Sequence, residues 1–241
     1  MQRMKFRGFY LYFENRDAAE SMIRQADEFP SFFTPREEQP LIIDCGANIG
    51  VSMLEWKTRW PGAQILCFEP DPFAFRLLEQ NVERNDIPGV RCVNAALSDC
   101  DATVMLHGDI SRRGDARGNS IDAAWGSRSG TTHTAVAAKR LSPYIADREV
   151  ALLKLDIEGA EQRVLQEIAP HLQRVQAIYV EVHETDASIA HNSAATIEQT
   201  LRAANFTLET ESRYDAHALP AHLDAWREEV NARQTQLIGW R

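Results

Sequence analysis

Leu41-Ile42-Ile43-Asp44-Cys45-Gly46-Ala47-Asn48-Ile49-Gly50 reads as a buried strand that ends in a carboxylate, turns on a glycine and enters the first turn of a helix. In an open α/β sheet, ligands bind outside the carboxyl ends of the strands, at this kind of turn. The glycines are spaced G-x-x-x-G, without the middle glycine of the dinucleotide fingerprint G-x-G-x-x-G, and no Gly-Lys-Ser/Thr run follows. The turn therefore suits a nucleoside ligand without phosphates, and nicotinamide-dependent redox chemistry is not expected. Twenty-five residues after Asp44, a second apolar run ends in Cys67-Phe68-Glu69-Pro70. An acid at that offset is placed to accept two hydrogen bonds from a ribose diol.

Outward from this pair, nearly continuous apolar runs at Leu41 to Asp44, Gln64 to Glu69, Val90 to Ala96, Val150 to Asp156 and Ala177 to His183 alternate with helix-period stretches. That is the βαβ rhythm of a parallel sheet covered on both faces. Asp71 and Pro72 supply the N-cap and first position of one helix, striped by Phe75, Leu78 and Val82; others begin near Ile49, Ala160 and Ala194. Phe206 to Thr210 and Gln236 to Trp240 read as a closing antiparallel hairpin, with a short helical insert near Ala221 to Arg233.

Two segments break the rhythm. The first 35 residues hold eight of the chain's twenty aromatics and a helix start, Asp17-Ala18-Ala19-Glu20, of capping-box type. They are expected to form an N-terminal aromatic lid or flank over 1–38, ahead of one α/β domain over 39–241. Between Gly108 and Gly130 lie five of the twelve glycines together with Arg112, Arg113, Arg117 and Arg128, which implies a long loop, functional or disordered.

Composition excludes several classes. A chain of 241 residues with 44% hydrophobic content can bury an ordinary core. The formal charge is −9 and no basic stripe tracks a phosphate backbone, so nucleic acid is not an expected partner. No secretory pattern opens the chain and no apolar run approaches the ~18 residues of a span, so neither export nor a membrane is expected. Cys45, Cys67, Cys92 and Cys100 form no CxxC pair, and the first three sit in apolar runs, the pattern of a reduced, cytoplasmic chain.

With Asn94-Ala95-Ala96-Leu97-Ser98-Asp99, Leu153-Lys154-Leu155-Asp156-Ile157-Glu158-Gly159-Ala160-Glu161 and Val180-Glu181-Val182-His183, these motifs resemble the FkbM-type family of class I S-adenosylmethionine-dependent methyltransferases. The likeness covers roughly residues 40 to 205 and is specific as a set. It implies a Rossmann-like, doubly wound seven-stranded sheet, mostly parallel, with the last strand antiparallel. It also implies S-adenosylmethionine as cofactor. The methionine part would lie near Asp44 and Gly46, with Ala47, Asn48 and Gly50 completing the turn. The ribose would lie on Glu69 beside Pro70, and the adenine near Ala96, Leu97 and Ser98. One departure stands out: Arg140-Leu141-Ser142-Pro143 replaces the family's Thr-Leu-Asp-like segment, so the substrate-side loop is expected to differ.

Period two places Lys154, Asp156 and Glu158 on one side of a strand otherwise built from valine and leucine. Unpaired burial would be costly, so these charges pair or face a cleft. Two readings stay open. In one, Lys154 and Asp156 form an ion pair and Glu158 begins the next helix. In the other, Asp156 meets the cofactor's sulfonium and amine while Glu158 or Lys154 meets the acceptor. His183 shares a face with Glu181 and is a candidate general base for a hydroxyl, or a satisfied structural histidine. With Asp156, Glu158 and Glu181 it could also complete a divalent-metal site, but no metal is expected, because ligand spacing across strands is inferred and not read. Tyr10 and Tyr12 are candidates for an aromatic surface over the sulfonium, or they merely pack on the sheet. The expected function is O-methylation of a small-molecule hydroxyl. The alternatives are cyclisation of the cofactor's own aminocarboxypropyl group to azetidine-2-carboxylate and methylthioadenosine, and a non-catalytic cofactor-binding partner protein.

Overall fold

Five of the apolar runs become the parallel strands of one sheet in the computed structural model, which describes residues 1–125, 130–215 and 232–241. These are β3 (Leu41–Cys45), β4 (Gln64–Phe68), β5 (Val90–Val93), β9 (Val150–Leu155) and β10 (Val175–Thr185). Every residue of β3 and β9 is buried, as strands covered on both faces require. The sheet closes with β11 (Thr207–Asp215) and β12 (Ala232–Trp240), giving the order β11-β12-β10-β9-β3-β4-β5. β12 runs antiparallel to both of its neighbours, as the resemblance implies. The helical insert expected at 221–233 falls outside the described residues up to 231, and Ala232 and Arg233 belong to β12.

Chain order reverses between β3 and β9: from β3 it proceeds through β4 to β5, and from β9 through β10 in the other direction. The carboxyl ends of those two strands are therefore the topological switch point, where a crevice opens. Helices α2 (Val51–Arg59) and α3 (Pro72–Arg84) cover one face. Asp71 caps α3 by accepting from the N–H groups of Phe73 and Ala74. On the other face, α4 (Glu161–Glu167) and α5 (Ala194–Ala203) bury Val164, Leu165, Ile197 and Leu201 against Ile43, Leu153 and Ile178.

The N-terminal flank is a hairpin of β1 (Gln2–Phe6) and β2 (Phe9–Phe13), followed by α1 (Arg16–Asp27). Arg7 and Gly8, with φ of 50° and 90°, make its two-residue turn. The N-cap of α1 is Asn15, whose side chain accepts from Ala18 N–H, and not Asp17, which lies inside the first turn. Asn81 on α3 holds both backbone groups of Tyr12, and Asn85 does the same for Tyr10. Phe6, Leu11, Phe13 and Met22 join Ile42, Trp56 and Leu78 in one apolar cluster, so the flank shares the core of that face.

Two expectations need correction. The run Val90 to Ala96 is not one strand. Asn94 turns away after β5, its side-chain amide donating to the carbonyl of Glu69, and β6 (Ala96–Leu97) pairs instead with β8 (Thr132–Lys139). β8 in turn pairs antiparallel with β7 (Ala102–Gly108), forming a small sheet at residues read from sequence as loop or left unassigned. Most residues of β7 and β8 are exposed or half-buried, so no apolar alternation marks them. Among the described residues, no helix is long and apolar enough to cross a membrane.

Candidate active site

The crevice at the switch point is a cavity of about 550 Å³, within the usual ~300–1,000 Å³ of small-molecule sites. It brings together ten of the expected residues: Gly46, Ala47 and Asn48 from the first turn, Glu69 and Pro70 after β4, Ala96 and Leu97, and Lys154, Asp156 and Glu158 at the end of β9. Glu181 of β10 joins them. Met22, Gln25 and Phe29 from the flank, and Arg117, Asn119 and Trp125 from the 109–125 loop, complete the walls.

The Gly46 turn is shaped by its neighbour β9. Gly46 has φ 80°, and a Cβ built on it would stand 1.8 Å from the carbonyl oxygen of Asp156. The glycine therefore allows two backbones to close on each other, in addition to bordering the cavity. Glu69 sits across from it. One of its oxygens accepts the Asn48 N–H at 2.8 Å and the other the Asp71 N–H at 2.8 Å. Burial raises its carboxyl to about 8 against the opposing pull of these N–H groups.

Asp44 is fully buried and does not face the cavity, contrary to expectation. Its carboxylate accepts from Ser52 Oγ at 2.5 Å and lies 3.4 Å from Lys154 Nζ. Lys154 Nζ is also 3.3 Å from Asp156 and donates to the Gly46 carbonyl at 3.1 Å. Burial opposes its charge, but Asp156 and Asp44 outweigh burial and hold the ammonium well above its ordinary value. The expected Lys154–Asp156 pair is thus one side of a triad that pins the first turn to β9. Asp156 keeps a partly exposed carboxylate toward the cavity.

Beyond Asp156 the wall is acidic. His183 is buried behind it: Nδ1 lies 3.1 Å from Glu161 Oε1, while Nε2 lies 3.5 Å from Glu158 and 3.8 Å from Glu181. Burial lifts the Glu158 carboxyl to about 8, with Asp156 and Glu181 adding to it and His183 opposing. Burial, then Asp156, lifts Glu181 to about 7. On His183 burial acts downward, yet Glu158 and Glu161 hold it well above its ordinary value.

Several expected contacts lie elsewhere. His183 is not on the cavity wall, so it is not placed to reach an acceptor directly. Tyr10 and Tyr12 are also outside the wall, because Leu11 and Phe13 take the inward face of β2; the two tyrosines stack instead on Arg3 and Arg84. Ser98 donates its N–H to Lys139 and its hydroxyl to Asp99, on the small sheet. Gly50 caps α2 against Leu78. Of the loop arginines, Arg112 pairs with Glu14 and Arg117 with Asp115, while Arg128 lies outside the described residues.

Trp125 is a residue of the cavity wall that the sequence does not single out. Its indole N–H donates to Glu158 at 2.6 Å and its ring meets His183 edge-on at 4.9 Å. Ser120 donates to the Glu158 carbonyl, and Asp122 lies 2.7 Å from His191 Nε2, so the loop is clamped across the acidic wall. The one available signal was a lone tryptophan in an otherwise polar segment.

Among known proteins, the model of the methyltransferase FkbM domain matches residues 44–208. The 31-O-demethyl-FK506 methyltransferase FkbM of Streptomyces tacrolimicus is 30% identical over 71% of this chain and 74% of its own. The 2-O-methyltransferase NoeI of Sinorhizobium fredii is 25% identical over 61% and 65%. A methyltransferase FkbM from Methylobacillus flagellatus shares the fold with a TM-score of 0.53 at 14% identity, over 87% of this chain and 46% of that one, so this chain spans about half of that protein. TYW2 of M. jannaschii in complex with AdoMet gives 0.51 at 12% identity, over 99% of this chain and 84% of that one.

Proposed function

The chain belongs to the FkbM methyltransferase family, and from that premise we propose that it transfers the methyl group of S-adenosylmethionine to a hydroxyl of a small molecule. The observation that carries this reading is that Glu69 and Asp156 line one cavity, on either side of a glycine turn whose approach to β9 leaves room for no side chain. Glu69 suits a ribose diol. Asp156 suits the ligand's ammonium, and the acidic wall suits its sulfonium. Ala96 and Leu97 offer an apolar face for a purine.

When bound, S-adenosylmethionine supplies a methyl carbon to the acceptor oxygen: the C–O bond forms, the C–S bond breaks with its electron pair passing to sulfur, and the hydroxyl proton leaves. Glu181, on the cavity wall, takes that proton. Lys154 orients Asp156, and Phe29 and Trp125 exclude water from the charged centre. Such alignment of reactants can supply about 7–11 kcal/mol, so few groups need be chemical. A hydroxyl acceptor is favoured by the O-methyl chemistry in the names of the Streptomyces and Sinorhizobium relatives.

Incubation of the chain with S-adenosylmethionine and a pool of hydroxylated small molecules should yield S-adenosylhomocysteine and an acceptor heavier by one methylene. Methylthioadenosine formed without any acceptor would replace this reading with internal cyclisation. Bound but unchanged S-adenosylmethionine across the pool would favour a binding protein.

A further inference from the structure

The geometry points to a divalent-cation site made by Asp156, Glu158 and His183 at the acceptor end of the cavity, of the kind that takes Mn²⁺. One donor atom from each of these three residues lies within 4.8 Å of the others. Opposite ligands of an octahedral ion at ~2.1 Å stand ~4.2 Å apart, so small side-chain rotations close the set on one ion.

Acidic clusters are common, and the imidazole is what distinguishes this one. Its Nδ1 faces Glu161, which is wholly buried and already accepts from Gly159 N–H and from the side-chain amide of Asn192 at 2.7 Å. A carboxylate in that position accepts only, so Nδ1 carries a proton and Nε2 points the other way. Nε2 is fully buried and makes no hydrogen bond; it points at Glu158 and Glu181, 3.5 and 3.8 Å distant. A lone pair aimed at carboxylates is repulsive unless a positive charge lies between them. Without an ion the surrounding acids favour a second proton there, yet at 3.5 Å it makes no hydrogen bond, because Glu158 Oε2 is held by Trp125 at 2.6 Å, and an ion would take that proton's place. A buried carboxylate that fixes the tautomer of a histidine whose other nitrogen faces acids is the support found behind metal-binding histidines.

The remaining atoms agree. Lys154 engages Asp156 through Oδ2 and Trp125 engages Glu158 through Oε2, so Oε1 of Glu158 stays available, and Oδ1 of Asp156, with two lone pairs, is shared between the ion and the ligand's ammonium. Asp156, Glu158, Glu161 and Glu181 bring four acids to this corner against the ammonium of Lys154. One imidazole with two carboxylates is a mixed set that Mn²⁺ accepts more readily than Mg²⁺, which prefers oxygen alone. Asp156 and Glu158 border the cavity, so the ion has open positions there for an oxygen of the acceptor, whose hydroxyl it would acidify. That last role rests on the methyl-transfer reading; binding of the ion does not.

The test is titration of the chelator-treated full chain with MnCl₂, following free Mn²⁺ by electron paramagnetic resonance, with S-adenosylmethionine binding measured on the same samples. One saturable ion per chain is expected, weakened by about tenfold or more in His183→Gln and in Glu158→Gln, and unchanged in Glu149→Gln. Mn²⁺ should also quench tryptophan fluorescence, and Trp125→Phe should remove most of that quenching. Glu158→Gln, on the wall and only partly buried, keeps the test valid if His183→Gln fails to fold. Absence of a saturable site, or equal affinity in folded His183→Gln and Glu158→Gln, overturns the ion. If S-adenosylmethionine still binds in that case, the methyltransferase reading survives; if Mn²⁺ binds and S-adenosylmethionine does not, the ion stands and the methyltransferase reading fails.

Discussion

Gly46→Ala is expected to destabilise the fold by about 2–6 kcal/mol, the sum of a strained dihedral and an overpacked contact. The methyl would meet the carbonyl oxygen of Asp156 at 1.8 Å and its carbon at 3.0 Å, both backbone atoms directly after the buried strand β9, with no flexible side chain to give way. Gly8→Ala isolates the dihedral part, since Gly8 has φ 90° and nothing within 4 Å of its would-be Cβ. That control should lose only about 1–2 kcal/mol. Thermal denaturation of the three proteins separates the terms: Gly46→Ala should melt roughly 4–24 °C below the parent, and Gly8→Ala roughly 2–8 °C below, the smaller of the two shifts. Equal shifts would show that the close approach between the first turn and β9 is not what the glycine serves.

Lys154→Met is the second large effect. The ammonium lies between Asp44 and Asp156, and Asp44 is wholly buried with Ser52 as its other partner. Removing the cation leaves a buried carboxylate without its counter-charge, which costs about 3–5 kcal/mol. Neutralising the stranded acid should restore much of the loss, so the double variant Asp44→Asn/Lys154→Met is expected to be more stable than Lys154→Met alone. Urea denaturation of the single and double variants checks this. Additive losses would mean that Lys154 and Asp44 are not coupled.

The β3–turn–α2 unit was legible because local signals agree: a run of buried aliphatics, a carboxylate, and a glycine spacing that only a strand-to-helix turn explains. Glu69 was legible by its offset from Asp44, and the charge of β9 by its contrast with valine and leucine. What failed has a common cause. Whether Asp44 faces the cavity or Lys154 depends on which strand lies beside β3, and nothing within the Asp44 segment encodes that. His183 lies behind Glu158 because Glu161 faces its ring nitrogen, while Asn192, distant in sequence, holds both Glu161 and the His183 carbonyl. Aromatic content alone leaves Tyr10 and Tyr12 open to two readings; the period-two alternation that turns Leu11 and Phe13 inward puts both tyrosines against Arg3 and Arg84. β7 and β8 escaped notice because exposed strands carry no apolar pattern, and Trp125 because its partners lie 33 and 58 positions away.

The central claim is that the cleft between Glu69 and Asp156 is built for S-adenosylmethionine, and calorimetric titration of that compound into the parent chain and into Glu69→Ala addresses it most directly. The account predicts one molecule bound per chain, with affinity reduced in the variant by about 1–3 kcal/mol as the ribose loses its acceptor. No binding to the parent, or the same affinity in a folded Glu69→Ala, would contradict it.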